Sequence, residues 1–316
     1  MTLVTGGFTT YTAKGNREDL TDVIYNISPA DTPFLSAVAK AKASAVFHEW
    51  QTDSLAAAST SNAQLEGDII AGSTSAATSR VGNYCQILRK DVVVTGSQIA
   101  ANSAGRANEM AYQMAKRSKE IKRDLEATIT GNQGYTAGDS TTARTMRSLE
   151  SWLSTNASRG TGGASATAAT AAATDATAGA MRAFTETVLK TVIQSVYTAG
   201  GEPEVLMVGP VNKQRVSDFT GRASARQNVA MDRIQGAASL YASDFGDLKV
   251  IPNRFQRERS AFVLQPDMAA VAYYRPFTQF ELAKVGDADR RALVVEATLE
   301  MRNEAAHGVI ADLTTT

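Results

Sequence analysis

The sequence has a single cysteine, Cys85, so no disulfide can form within the chain. No apolar run approaches the roughly 20 residues that a membrane helix needs. Residues 1–16 also lack the basic start and apolar stretch of a signal peptide. We therefore expect a soluble protein, made in a reducing cytoplasm, that has no membrane partner.

An excess of charge is missing as well. The chain carries 32 Lys and Arg against 32 Asp and Glu, which gives a formal net charge of zero. A protein dedicated to binding duplex nucleic acid usually has a clear basic excess. The neutral balance therefore argues against a dedicated duplex-binding protein. The 316 residues, 43% of them hydrophobic, suffice for one large domain or two smaller ones.

Catalytic motifs are also absent. The sequence contains no Gly-x-Ser-x-Gly elbow, no phosphate loop, no Gly-x-Gly-x-x-Gly turn and no Cys-x-x-Cys pair. The two histidines, His48 and His307, lie far apart, and no carboxylates cluster near either of them. We predict that the chain is not an enzyme and has no catalytic, cofactor-binding or metal-binding residues. A hydrolase that brings His48 together with a Ser and an Asp is the alternative from another functional class.

A long polar segment, residues 54–80, consists almost entirely of Ala, Ser, Thr, Gly, Asn and short acids. Such a segment cannot bury enough apolar area to fold by itself. Residues 46–52 and 84–96 on either side have strand character and can pair as the two legs of a long hairpin. Because an isolated hairpin is marginal in water, it must lie on another surface. Another copy of the same chain is the most economical choice, which favours an assembly protein.

Few side chains within this segment could mediate such a contact. We predict that Leu65 and Ile69 dock on a neighbouring copy, while Glu66 and Asp68 meet basic groups. For the two acids, the alternative is a solvated turn around Gly67.

The remaining periodicities predict a mixture of helices and strands, that is, an α+β fold. The helices are expected at about residues 19–27, 32–38, 103–130, 185–197 and 212–219. The strands are expected at 204–209, 262–264, 269–274, 278–285 and 293–300. The helix at 103–130 has a narrow apolar stripe and would span roughly 40 Å, which is typical of a helix lying along a sheet. Residues 160–180 contain little but Gly, Ala, Ser and Thr, which favours a flexible insertion or linker.

Several sequence blocks carry a family resemblance. They are Arg17–Leu20, Ile27–Pro29, Asp31–Phe34, His48–Asp53, Gly82–Tyr84, Gly105–Arg106 and Met301–Gly308. In this order, and over nearly the whole chain, they resemble a family of major capsid proteins of tailed bacteriophages with the Hong Kong 97-type fold. His-Glu-Trp followed by Gln-Thr-Asp is the most specific of these blocks.

The resemblance implies a division of the chain into six parts. They are an N-terminal arm (1–45), an extended β-hairpin loop (46–96), a long spine helix with the first part of a peripheral domain (97–156), a low-complexity linker or surface insertion (157–182), an axial α/β domain (183–248) and C-terminal strands of the axial and peripheral domains (249–316).

The resemblance also implies a function. Many copies would assemble into hexamers and pentamers of an icosahedral virion head, formed in the host cytoplasm and enclosing double-stranded DNA without sequence preference. Separate scaffolding, decoration and portal proteins would be its partners. The residues predicted to contact a neighbouring subunit are Arg17, Phe34, Glu49, Trp50, Leu65, Glu66, Asp68 and Ile69. The alternatives are the shell of an encapsulin-like nanocompartment and, more distantly, a tail or adhesin protein.

Overall fold

The structure is a computed structural model that describes residues 30–67, 72, 77–101, 108–166, 174–219 and 239–315. Its helices are α1 (Pro33–Ala37), α2 (Gly96–Ala100), α3 (Glu109–Ile129), α4 (Leu149–Trp152), α5 (Glu186–Thr198) and α6 (Pro210–Ser217). Its strands are β1 (Ala39–Lys42), β2 (Phe47–Thr52), β3 (Ser79–Tyr84), β4 (Gln86–Thr95), β5 (Ala157–Ser158), β6 (Val205–Val208), β7 (Leu240–Ser243), β8 (Gly246–Pro252), β9 (Ala261–Leu264), β10 (Ala269–Leu282), β11 (Ala288–Met301) and β12 (Gly308–Ile310). The predicted helix at 19–27 lies outside the described residues.

A four-stranded sheet has the order β1-β10-β11-β4. The two long strands β10 and β11 form a hairpin, and Gly286 in its turn has a φ of 70°, which favours glycine. The sequence predicts two strands where β10 is one. Its register shifts between Tyr273 and Thr278, around Pro276, which has no N–H to donate to the ladder. This irregularity explains the break in the alternating pattern.

The long helix α3 packs on this sheet through the predicted apolar stripe. The buried members are Met110, Met114, Ile121, Leu125 and Ile129. The helix begins at Glu109 rather than near residue 103, because the Asn108 side chain accepts a hydrogen bond from the backbone N–H of Ala111 at 3.0 Å and caps the first turn. Its 21 residues span about 31 Å at about 1.5 Å per residue.

A six-stranded sheet has the order β5-β12-β9-β6-β8-β7 and is buried on both faces at its centre. In β6, Val205 and Met207 contribute to a core shared with α3 and α4. Leu206 and Val208 alternate with them and contribute to a second core with α5. Burial on both faces explains why the predicted strand is an uninterrupted apolar run.

The helix predicted after the low-complexity segment is confirmed as α5. The Thr185 hydroxyl accepts a hydrogen bond from the backbone N–H of Val188 at 3.4 Å, so Thr185 acts as the N-cap. The next predicted helix, α6, begins two residues earlier than expected, since Pro210 suits the first turn of a helix. None of the helices in the described ranges has the length and apolar character needed to cross a bilayer.

The described parts of the small-residue segment, residues 160–166 and 174–180, make specific contacts, while the predicted flexible surface insertion or linker stays a prediction. Ala164 and Thr177 form a β-bridge, and the Asn132 amide bonds both backbone groups of Ala176, at 2.8 and 2.9 Å. Glycine is required at Gly160, where a Cβ would lie 2.0 Å from the carbonyl oxygen of Ala180. Small residues thus allow two chain segments to pack closely, and a segment rich in them need not be flexible. Residues 167–173 lie outside the described part.

Candidate functional site

The predicted extended hairpin exists, but its second leg differs from the prediction. β2 pairs with β3, from Phe47 opposite Tyr84 to Thr52 opposite Ser79. The run at 84–96 was predicted to be this leg, but most of it forms β4, which belongs to the four-stranded sheet. The chain changes sheets at Cys85, whose backbone N–H bonds the carbonyl of Val46 at 2.8 Å. The loop that the hairpin carries is therefore residues 53–78.

The base of the hairpin is an aromatic cluster. The rings of Phe47 and Tyr84 lie 4.6 Å apart, and Tyr135 lies 5.4 Å from Tyr84. Gly82 stands across the ladder from Glu49, where an added Cβ would lie 2.8 Å from the Phe47 ring. Glycine at this position lets the ring fold over the strand.

The side chains of Trp50 and Asn83 attach the hairpin to backbone groups of the body. The Trp50 indole N–H donates to the carbonyl of Met301 at 2.8 Å. Asn83 is fully buried, and its amide donates to the carbonyl of Leu299 at 2.9 Å and accepts from the backbone N–H of Arg147 at 2.8 Å. Because both partners are backbone groups of the body, the base of the hairpin has a fixed position.

Neither histidine belongs to a catalytic arrangement among the described residues. The His48 Nε2 lies 3.0 Å from a Glu300 oxygen, which links β2 to β11. His307 is fully buried, and its Nδ1 accepts from the backbone N–H of Gln265 at 3.2 Å. In the described ranges, no serine hydroxyl bonds either ring, and no cluster of His, Cys, Asp and Glu could hold a metal. These contacts favour structural roles for both histidines over the hydrolase alternative.

Burial of His307 predicts acid sensitivity. Desolvation lowers the pKa of His307 to about 4, whereas an unfolded histidine titrates near 6.5. Its contribution to stability is therefore complete above about pH 6.5 and is lost as the pH falls toward 4, by about 3 kcal/mol in total. We expect His307→Gln to flatten this part of the curve of unfolding free energy against pH, measured by urea denaturation. An unchanged slope in the variant would contradict this assignment.

A cleft of about 370 Å³ separates the hairpin from the body and includes Trp152, Met301 and Glu304 in its lining. The Glu304 carboxylate accepts hydrogen bonds from the backbone N–H groups of Ser154 and Thr155 at 2.7 and 2.8 Å. A carboxylate bound in this way holds the chain rather than acting as a general base.

Beyond the base, the loop leaves the body. Every residue from 53 to 67 is exposed. Leu55 is 99% exposed and Leu65 is 80% exposed. The hydrogen bonds that the described residues 53–67 make with one another are local ones, such as that between Ser59 and Ser61 at 3.1 Å. No described residue of the same subunit covers these two large apolar side chains.

The residues predicted to contact a neighbour have different environments. Leu65 and Glu66 are exposed on the loop, and Glu49 pairs with Arg80 at 2.8 Å on the hairpin. Trp50 is half-buried against its own body. Phe34 is fully buried in its own core, and its contact with a neighbour stays a prediction.

Three of the predicted contact residues, Arg17, Asp68 and Ile69, lie outside the described residues, as does the arginine-containing segment 220–238. Sequence reasoning missed Asn83 as an anchor of the hairpin. The sequence offered one indication of this role, since Asn83 is a polar residue between Val81 and Cys85. A buried amide needs hydrogen-bond partners, which here fix its position.

Comparison with known proteins gives a consistent result. A family model described as SU10 major capsid protein matches residues 4–314. A major capsid protein of Escherichia phage Phieco32 is 26% identical, and the alignment covers 96% of each chain.

Solved structures agree in fold. The capsid asymmetric unit of Cyanophage A-1(L) has a TM-score of 0.66 at 14% identity and covers 98% of this chain and 100% of its own. An encapsulin complex from Synechococcus elongatus PCC 7942 has a TM-score of 0.55 at 10% identity, covering 95% and 93%. Capsid and encapsulin structures therefore share this fold, and the sequence matches decide between them.

Proposed function

The chain belongs to the SU10 major capsid protein family, and from this membership we propose how its copies hold one another in the shell. It is a major capsid protein of a phage and has the Hong Kong 97-type fold. This is a structural family of the virion, and it favours the capsid over the encapsulin-like alternative. We propose that the loop at 53–78 of each copy binds the neighbouring copy.

The observation that carries the proposal is the contrast between the two ends of the hairpin. The base is fixed by Trp50 and Asn83, while Leu55 and Leu65 on the loop are exposed. Burying a leucine side chain contributes about 1.5–3 kcal/mol. A single contact of this kind is weak. Repeated by every copy in a closed shell, such contacts together stabilise the assembly.

The proposal for the wider assembly rests on membership of the capsid family. We propose hexamers and pentamers that form in the host cytoplasm and enclose double-stranded DNA, with separate scaffolding, decoration and portal proteins as partners. The zero net charge is compatible with a shell that encloses DNA without binding it tightly. The loop contains no lysine, so we expect no Lys–Asn cross-link through it.

The role of the loop in assembly can be tested because the hairpin can be closed without the loop. Thr52 and Ser79 are opposite each other, so an Asn-Gly turn can replace residues 53–78. We expect this variant to remain folded, with a cooperative thermal transition near that of the wild type, and to form no closed shells. Circular dichroism and negative-stain electron microscopy measure the two outcomes.

The matched control keeps the loop at its full length and replaces only Leu55 and Leu65 by Ser. It should reduce shell formation without affecting the fold of the subunit. Closed shells from the Asn-Gly variant would refute the proposal. Loss of its cooperative transition would place the loop in the core, which is equally incompatible with the proposal.

A further inference from the structure

The long helix α3 has a row of exposed lysines on the side that faces away from the sheet. Lys116, Lys119 and Lys122 are exposed and follow one another at intervals of three residues, while Met114 and Ile121 on the other side of the helix are buried. Successive lysines are about 4.5 Å apart along the helix axis, so the row is about 9 Å long. Because residues three apart are neighbours on a helix surface, the ammonium groups of the row form one positive patch.

The strand β1 adds two lysines to the same side of the four-stranded sheet. Lys40 and Lys42 are exposed and stand opposite Val271 and Tyr273 of β10. Partners in a β-ladder point to the same face of the sheet. Val271 is buried in the core that also contains the apolar stripe of α3, so Lys40 and Lys42 point to the side on which α3 lies. We call the set Lys40, Lys42, Lys116, Lys119 and Lys122 the lysine face.

No acid in the described part of the chain neutralises the lysine face. The ion pairs of the described lysines do not include any of its five members. The acids of α3 have other environments, since Asp124 pairs with Lys90, Glu120 pairs with Arg117 and Glu126 is buried. The whole chain has no net charge, so the positive charge here results from how the fold distributes its charged residues.

The lysine face suits a polyanion better than a folded protein partner. Among the described residues, α3 and β1 have no exposed large apolar side chain, and Ala115 and Ala127 are among the exposed positions of the helix. Protein interfaces take most of their binding energy from large side chains that are buried on contact. Lysine ammonium groups on flexible stems instead contact phosphates as point charges, without reading base sequence.

Duplex DNA has the matching spacing of charge. Each strand carries one phosphate per about 3.4 Å of helix axis, so a row of about 9 Å spans about three phosphates. We infer that the lysine face points into the shell and contacts the phosphates of the enclosed duplex. The inference rests on the proposed function, which states that the shell encloses double-stranded DNA, and it adds the surface of the subunit that touches this DNA. Because the lysines are exposed, each contact is weak and is screened by salt.

Lysine reactivity in whole particles tests the contact directly. Filled particles and particles that have released their DNA are treated with a small acetylating reagent, and the rate at each lysine is measured by peptide mass spectrometry. We expect Lys116, Lys119 and Lys122 to react several-fold more slowly in the filled particles. Lys190 of α5, which already pairs with Glu186 at 2.8 Å, is the control and should react equally in both. Unchanged rates on the lysine face, or equal protection of Lys190, would overturn the inference.

The salt dependence of DNA binding gives an independent measurement. Unassembled subunits are titrated with a fluorescent duplex of about 30 base pairs, and the logarithm of the binding constant is plotted against the logarithm of the salt concentration. Each phosphate contact contributes about 0.9 to the slope, so the triple variant Lys116→Gln, Lys119→Gln, Lys122→Gln should lose about 2.7 of it.

A charge-matched variant is the control for this slope. Lys190→Gln, Lys249→Gln, Arg290→Gln removes the same charge from α5, β8 and β11, outside the lysine face, and should change the slope much less. The same loss of slope in both triple variants would indicate that only net charge matters and would contradict the inference.

Shell formation distinguishes this inference from the proposed function. The lysine variant should close shells as efficiently as the wild type, whereas replacement of the loop should abolish them. Normal shells with an unchanged DNA slope would overturn the DNA contact and leave the proposed function intact. Loss of shells from a folded lysine variant with an unchanged DNA slope would assign the lysine face to an acidic protein partner and would also overturn the inference.

Discussion

Replacing Glu126 by Ala should lower the free energy of unfolding by about 3–5 kcal/mol, because it leaves two buried donors and one partly buried donor without an acceptor. Glu126 lies on α3 and is fully buried. Its carboxylate accepts from the backbone N–H groups of Phe34 and Leu35 at 2.7 and 3.0 Å, and from the Asn253 amide at 2.7 Å. One side chain thus joins α1, the long helix and the segment after β8.

The matched control for Glu126 is Asp124→Ala on the same helix. Asp124 is 45% exposed and pairs with Lys90 at 2.6 Å, so its loss should reduce stability by less than about 1 kcal/mol. Desolvation raises the pKa of Glu126, so Glu126→Gln, which avoids burying a charge, should be milder than the alanine variant. Urea denaturation of the unassembled subunit, followed by circular dichroism, measures all three. Equal losses for Glu126→Ala and Asp124→Ala would contradict the assignment.

Replacing Glu150 by Ala should have an effect of similar size, about 3–5 kcal/mol, because it removes the counter-ion of a buried arginine. Glu150 is buried at the start of α4. Its carboxylate accepts from Arg257 at 2.7 Å, from the Ser260 hydroxyl at 2.6 Å and from Arg159 at 3.2 Å. Arg159 has a side chain that is only 5% exposed, so it cannot recover its hydration when the carboxylate is lost.

A double-mutant cycle isolates this interaction. Arg159→Ala should reduce stability much less in the Glu150→Ala background than in the wild type, because the charge that it removes is already unpaired there. The surface pair of Arg291 with Glu281, at 2.7 Å, is the comparison, and Glu281→Ala should reduce stability by less than about 1 kcal/mol. Additive losses for Glu150 and Arg159 would indicate that the two groups do not depend on each other.

The contacts of Glu126 illustrate what a local sequence pattern leaves open. The backbone N–H of Phe34 bonds Glu126, 92 positions away, and its ring enters the core, and the sequence around Phe34 shows neither contact. In the same way, the strand character of 46–52 was predicted correctly, while its partner was not. An alternating pattern is a property of one strand, and a partner is chosen by the packing of both.

The sequence by itself determined the features that depend on local spacing or on composition. The stripe on α3, the strands β2 and β6 and the helix α5 all follow from residues close together in the chain. The blocks of resemblance gave the capsid family, which the match over residues 4–314 confirms.

Only the tertiary structure decided which exposed and buried surfaces these elements form. It separated β3 from β4 at Cys85, placed Ile87 and Val93 on the exposed face of an edge strand, and packed the small residues at 160–166 and 174–180 against other parts of the chain. The physical reason is that burial and pairing depend on contacts between distant parts of the chain. A local pattern fixes the faces of an element, but only its packed neighbours decide which of those faces stays open to a second copy.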